Sequence, residues 1–262
     1  MSEDLLLQRD GAITSIVLNR PEQGNTLTGS LLAQIESISN EFADDEDTRA
    51  VIFKARGDNF SYGADLNEMG SDGSKPSLLK VRRQAELGGR MMRAIQDIHQ
   101  PTVCAIQGVS TGGATCIASA CDFRIAADNA RMGYGEVKLG INLMWHAVPY
   151  CVQLVGPSRA KQMIMSGRLI PAAILERWGF VDEVCTPEEL EDRAREWAQG
   201  YVELPPIAVQ MIKRSVNRIA GSMSEAIMHA DTDQWLLGTL TEDFSEAIAA
   251  FREKRKPEFT GN

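Results

Sequence analysis

Two glycine turns in this chain have the composition of an anion trap. The first is Phe60-Ser61-Tyr62-Gly63-Ala64-Asp65-Leu66, after the apolar run Ala50-Val51-Ile52-Phe53. The second is Gly108-Val109-Ser110-Thr111-Gly112-Gly113-Ala114, after Val103-Cys104-Ala105-Ile106. The pattern predicts that each turn leaves a buried strand and opens a helix. A helix start leaves backbone N–H groups unpaired and carries partial positive charge. Two such ends aimed at one point hold a carbonyl oxygen as it gains negative charge. The chemistry this suggests runs through an enolate or a tetrahedral anion. The plainer alternative is that Gly63 and Gly113 serve only as turn glycines.

The elements that must position these turns are legible as patterns. Ile13-Thr14-Ser15-Ile16-Val17-Leu18 is rich in β-branched residues and predicts a strand, ended by Arg20-Pro21. Thr28 caps an expected helix whose stripe is Leu31, Leu32, Ile35, Ile38 and Phe42. Residues 70–76 read as a polar, mobile loop. A helix is expected from Leu78 to Ile98, with Val81, Ala85, Met92 and Ile95 on one face, and Pro101 precedes the next strand. Phe123-Arg124-Ile125-Ala126 predicts a further strand. From Pro157 onward helical periodicity dominates, with one short strand expected at Val181-Asp182-Glu183-Val184. Strands and helices thus alternate in the first part of the chain, and the strand–turn–helix order recurs, which hints at a repeated supersecondary unit.

Bulk composition narrows the function. The chain has 262 residues, 44% hydrophobic and 24% charged, ordinary values for a soluble globular protein. A net charge of -9 and a pI of about 5.0 argue against broad nucleic-acid binding but allow a small anionic ligand. Cys104, Cys116, Cys121, Cys151 and Cys185 form no CxxC pair and read as reduced thiols of a cytosolic protein. His99, His146 and His229 show no metal-ligand spacing, so no metal site is expected. No GxGxxG or GxxxxGK[ST] pattern supports hydride transfer or nucleotide hydrolysis. The acidic N-terminus lacks a signal core and no run approaches the ~18 apolar residues of a membrane span. The expectation is a cytoplasmic protein with no membrane and no nucleic-acid partner.

The ordered set of short motifs resembles the enoyl-CoA hydratase/isomerase (crotonase) superfamily. The matching stretches are Leu18-Asn19-Arg20-Pro21, the two turns above, Cys121-Asp122-Phe123-Arg124-Ile125-Ala126-Ala127 and Gly133-Tyr134-Gly135-Glu136-Val137-Lys138-Leu139-Gly140. Leu154-Val155-Gly156, Met165-Ser166-Gly167-Arg168, Trp178-Gly179-Phe180-Val181 and Phe251-Arg252-Glu253-Lys254-Arg255 extend the match over nearly the whole chain. The resemblance implies an α/β fold, a spiral of β-β-α units over residues 1–200 followed by a helical trimerisation region over 201–262. It implies a homotrimer or dimer of trimers, and an acyl-coenzyme A thioester as substrate with no separate cofactor. By position, Ala64 and Gly113 would offer the two backbone N–H groups of an oxyanion hole, and Glu136 would be the catalytic carboxylate. Backbone around Tyr62, Ala64 and Leu66 would meet coenzyme A, Arg20 would approach its phosphates, and Phe251 with Lys254 would reach a neighbouring subunit's nucleotide.

Two departures from the family pattern shape the expected chemistry. The second glutamate of a typical hydratase falls at Cys116, which reads as a small apolar wall because a thiol with a reference pKa of about 8.5 is a poor acid–base partner. One carboxylate suffices to move a proton from C2 to C4 of a 3-enoyl-CoA, so the site favours double-bond isomerisation over hydration. Hydration through one glutamate and a bound water stays open, as do decarboxylase or hydrolase chemistry and a catalytically weak acyl-CoA-binding role. A serine peptidase of related fold fits poorly, since no suitable serine follows Gly113. The second departure is Ile141-Asn142-Leu143-Met144-Trp145-His146, where relatives carry proline and glycine. Met144 and Trp145 are expected to shape the acyl pocket. His146 is either a substitute acid–base group or a helix-start residue packed against the trimer.

Overall fold

The computed structural model describes residues 4–68 and 77–262, so the expected loop at 70–76 and the first three residues lie outside the described residues. In chain order the elements are β1 (Leu5–Asp10), β2 (Ile13–Leu18), α1 (Gly29–Glu41), β3 (Ala50–Ala55), α2 (Leu78–Gln96), β4 (Thr102–Ile106), β5 (Val109–Thr111) and α3 (Gly113–Ala120). There follow β6 (Phe123–Ala127), β7 (Arg131–Gly133), α4 (Ala147–Ser166), β8 (Ile170–Pro171), α5 (Ala172–Trp178), β9 (Glu183–Cys185), α6 (Leu190–Val202), α7 (Pro206–Gly221), α8 (Glu225–Met228), α9 (Asp231–Thr239) and α10 (Glu242–Glu253). Six strands form one sheet in the order β1-β2-β3-β4-β6-β9, antiparallel at β1/β2 and parallel elsewhere. A second sheet has the order β5-β7-β8. The successive strand pairs β4-β5 and β6-β7 each place one strand in either sheet, and α3 closes the first of them, which is the expected β-β-α spiral.

Burial on both faces explains why the central strands read as continuous apolar runs. Successive side chains alternate between faces. Val51, Phe53, Cys104 and Ile106 pack with Leu31, Ile35, Met91 and Ile95 of the overlying helices. Ala50, Ile52, Val103 and Ala105 pack with Leu190, Ala194 and Ala198 of α6 on the other side. The predicted stripe of α1 is buried throughout, and the Thr28 hydroxyl accepts from Leu31 N–H at 3.2 Å as the expected cap.

Several boundaries differ from the sequence expectation. Strands β1, β5, β7 and β8 were not predicted; the last three span three residues or fewer and offer no alternation to read. β9 starts at Glu183 rather than Val181, because Asp182 is turned toward Arg124: its N–H donates to the Arg124 carbonyl at 2.9 Å and its carboxylate accepts from Arg124 N–H at 2.7 Å. Helix starts at Ala147, earlier than expected, and bends where Gly156 leaves helical geometry before Pro157. Among the described residues no helix is long and apolar enough to cross a membrane.

Candidate active site

The two turns do meet, although they are built differently from the expectation. Only the second opens a helix among the described residues, with Gly113 as the first residue of α3. The first is fixed instead as a bridge to Leu27, whose N–H donates to Gly63 at 2.8 Å and whose carbonyl accepts from Asp65 N–H at 3.0 Å. This pairing leaves Ala64 between two tied neighbours, with its own N–H outside the bridge. Gly63 adopts φ +82, and a Cβ there would lie 2.5 Å from the Thr111 carbonyl oxygen and 3.2 Å from the Gly113 nitrogen. The turns are therefore in backbone contact, which any side chain at 63 would prevent. Gly112 supplies the second left-handed conformation, φ 55 and ψ -124, and frees the Gly113 amide to face outward from the helix start. Among the described residues the Ala64 and Gly113 N–H groups have no protein acceptor.

At the opposite end of α3 sits a buried cation. Arg124, 2% exposed, donates to the carbonyls of Cys121 at 2.8 Å, Phe180 at 2.5 Å and Asp122 at 3.1 Å, and to the Asp182 carboxylate at 3.0 Å. Positive charge at a helix C-terminus complements the dipole whose other pole is the Gly113 amide.

Glu136 begins a short 3-10 turn, Glu136–Leu139, and its Oε1 lies 3.0 Å from where a Cβ on Gly112 would stand. The residue is half-buried, yet Oε2 is sealed from solvent and has no hydrogen-bond partner. Burial pushes the carboxyl up to about 7, with backbone N–H bonds from Glu136 and Gly135 opposing the shift in part. The Cys116 thiol is buried and pushed well above its ordinary range, first by desolvation and then by the nearby Glu136 charge. It stays protonated and apolar in character.

Ala64, Gly113, Cys116 and Glu136 line one cavity of about 540 Å³, together with Tyr62, Leu66, Met144, Trp145 and Phe251. Phe251 lines the cavity of its own chain, since α10 folds back against the Glu136 turn. Arg20 and Lys254 do not line it. Arg20 is spent on the loop itself, donating to the Thr26 carbonyl at 3.3 Å and approaching the Asp65 carboxylate at 3.8 Å. Lys254 is exposed and caps α10 in a left-handed conformation. His146 also lies outside the lining. It caps α4, donates its N–H to Asp231 at 2.7 Å, and sets its ring against Gly89 of the same chain; burial pushes its imidazole down.

Sequence reasoning missed Asp65 and Trp235, which also line the cavity. Asp65 is the other carboxylate of the lining, but its oxygens accept from Thr26 Oγ1 at 3.1 Å and from Asn67 at 3.0 Å. An acidic residue in a turn gives no sequence signal for that position. Trp235 belongs to α9, a helix of weak periodicity that carried no motif. Among the described residues no cluster of His, Cys, Asp and Glu is placed to hold a metal ion.

A lone desolvated carboxylate beside two uncommitted amides can move a proton next to a carbonyl whose oxygen those amides hold. Comparison with known proteins places the chain among relatives of one family. The family described as enoyl-CoA hydratase/isomerase matches residues 8–262. The chain is 32% identical to a short-chain-enoyl-CoA hydratase of Clostridium acetobutylicum over 97% of both chains. It is 26% identical to the 1,2-epoxyphenylacetyl-CoA isomerase of Escherichia coli over the full length of both. A crystal structure of an enoyl-CoA hydratase from Mycobacterium avium subsp. paratuberculosis superimposes with a TM-score of 0.88 at 26% identity, covering 98% of each chain.

Proposed function

The chain belongs to the enoyl-CoA hydratase/isomerase family, and we propose that it shifts the double bond of a 3-enoyl-CoA to the 2-position with Glu136 as the proton carrier. The observation that carries this reading is the desolvated Glu136 carboxylate, its Oε2 without a hydrogen-bond partner, in a cavity whose other acid, Asp65, is tied up and whose position 116 is a protonated thiol. The thioester oxygen accepts from the Ala64 and Gly113 N–H groups. Glu136 takes a proton from C2, the resulting dienolate places its negative charge on that oxygen, and the Glu136 carboxylic acid returns the proton to C4. An oxyanion donor of this kind lowers a barrier by roughly 3–4 kcal/mol. No separate cofactor enters the scheme; Tyr62, Leu66 and Phe251 would contact the coenzyme A part of the substrate.

Glu136→Gln decides the assignment. A positioned general base contributes roughly 10²–10⁴-fold, so turnover of 3-enoyl-CoA should fall by that factor with the fold intact. In the native enzyme kcat/KM should rise with pH through about 7, where the Glu136 carboxyl loses its proton, and then level off. Undiminished turnover in the variant would remove Glu136 from the mechanism. Hydration of a 2-enoyl-CoA is the second reading, favoured by the hydratase names among the relatives. The ratio of turnover on 2- and 3-enoyl substrates separates the two.

The reading extends to assembly and setting. A line of exposed apolar residues on α7 supports a trimer or a pair of trimers, and unpaired, mostly buried thiols support a reducing cytoplasm.

A further inference from the structure

Two consecutive glycines in the middle of α2, Gly88 and Gly89, are buried, which removes their side chains from a packed helix face. Opposite them stand two consecutive bulky residues, Trp145 and His146, both with φ 62. A Cβ on Gly88 would lie 2.0 Å from the Trp145 indole nitrogen, and one on Gly89 would lie 3.0 Å from His146 Cε1. The glycine pair is a notch cut for the Trp-His pair. Left-handed backbone at two adjacent non-glycine residues persists only where the surroundings hold it. Here Asp231 of α9 accepts the His146 N–H at 2.7 Å and pins the corner from the other side.

The consequence lies at the far edge of the indole. Trp145 Cζ3 and Cη2 would be 2.3 and 2.6 Å from a Cβ on Gly113. The ring thus spans from α2 to the residue whose amide faces the reacting carbonyl. Trp145, Met144 and Trp235, with Ala64 and Asp65 at the mouth, line the 540 Å³ cavity and also a neighbouring one of about 1010 Å³, bounded further by Leu32, Val81 and Leu87. A rigid aromatic seated between two spaces, with no freedom to withdraw past Gly88, acts as a partition.

We propose that Trp145 is a specificity-determining residue that ends the acyl site close to the thioester, restricting the protein to short acyl groups and closing the larger cavity to them. This rests on the acyl-CoA reading above. An acyl chain leaving a carbonyl held at Gly113 meets the indole edge within a few carbons, and removal of the indole widens the passage between the two spaces.

Calorimetric titration with saturated, unreactive butyryl-, hexanoyl- and decanoyl-CoA tests the idea without depending on turnover. The full-length protein should bind butyryl-CoA at least tenfold more tightly than decanoyl-CoA. Trp145→Gly, which also relieves the left-handed strain, should reverse that order, and Trp145→Phe should fall between. Equal binding of the two ends of the series by the native protein, or an unchanged order in Trp145→Gly, would overturn the proposal. Where circular dichroism shows Trp145→Gly unfolded, the Trp145→Phe order decides in its place. Absence of binding for every thioester would instead overturn the acyl-CoA reading itself, and the partition with it.

Discussion

Glu136 holds a charge where the fold offers it little help. The shift to about 7 arises from exclusion of water, and the opposing contributions come from backbone N–H groups rather than from a cation. In the unfolded chain the same carboxyl titrates near its ordinary value of 4.5. Between these two values the folded state binds more protons than the unfolded one, so stability falls as pH rises through that window. Above it, the ionised group opposes folding by about 3 kcal/mol. Glu136→Gln should therefore raise the melting temperature by roughly 4–8 °C at pH 8 and change it little at pH 5. An equal effect at both pH values would show that the carboxyl is not desolvated in the native protein. At this scale the motifs led to Ala64, Gly113 and Glu136 as cavity-lining positions, because short-range turn chemistry surrounds each of them. Arg20 and Lys254 lie outside that lining, and a basic residue in sequence does not reveal that a nearby carbonyl, as for Arg20, already takes its donor.

Helix α2 shows how an element can violate its own propensities for the sake of a neighbour. A glycine inside a helix is less favourable than alanine by about 1 kcal/mol, so Gly→Ala ordinarily stabilises. Gly88→Ala should do the reverse and destabilise by about 1–3 kcal/mol, because its Cβ would stand 2.0 Å from the indole nitrogen and the ring cannot swing away. Gly200 of α6 is the control, with nothing within 4 Å of an added Cβ; Gly200→Ala should stabilise by about 0.5–1 kcal/mol. Denaturant melts of both variants read the opposite signs, and a stabilised Gly88→Ala would mean that the notch is not filled by Trp145. The long amphipathic helices α1 and α2 and the buried parallel strands were legible because their periodicity repeats over several turns or residues. The short strands of the second sheet were not, since each is defined by partners that lie elsewhere in the chain. The same holds for the notch, whose two halves carry no mutual signal in sequence.

At the scale of the whole molecule, α7 leaves an unsatisfied surface. Met211, Ile212, Val216 and Ile219 are each more than half exposed and lie along one side of the helix. Such a stripe is costly in water and marks a contact surface. The native protein should sediment as three or six 28.8 kDa chains, and Ile212→Glu with Val216→Glu should shift it to single chains; a native monomer would exclude the trimer. The helical second half of the chain was visible as periodicity, while the return of α10 onto the Glu136 turn was not, because its contacts are with residues far upstream. That return also sets the order in which the protein becomes useful. The bridge from Leu27 to Ala64, the contact of Gly63 with Gly113 and the arrival of Phe251 all join distant stretches of chain. Contacts of that kind form late, after local helices. A polypeptide emerging from the ribosome thus holds no finished pocket until its last helix is released, and regained activity on refolding should lag behind regained helicity.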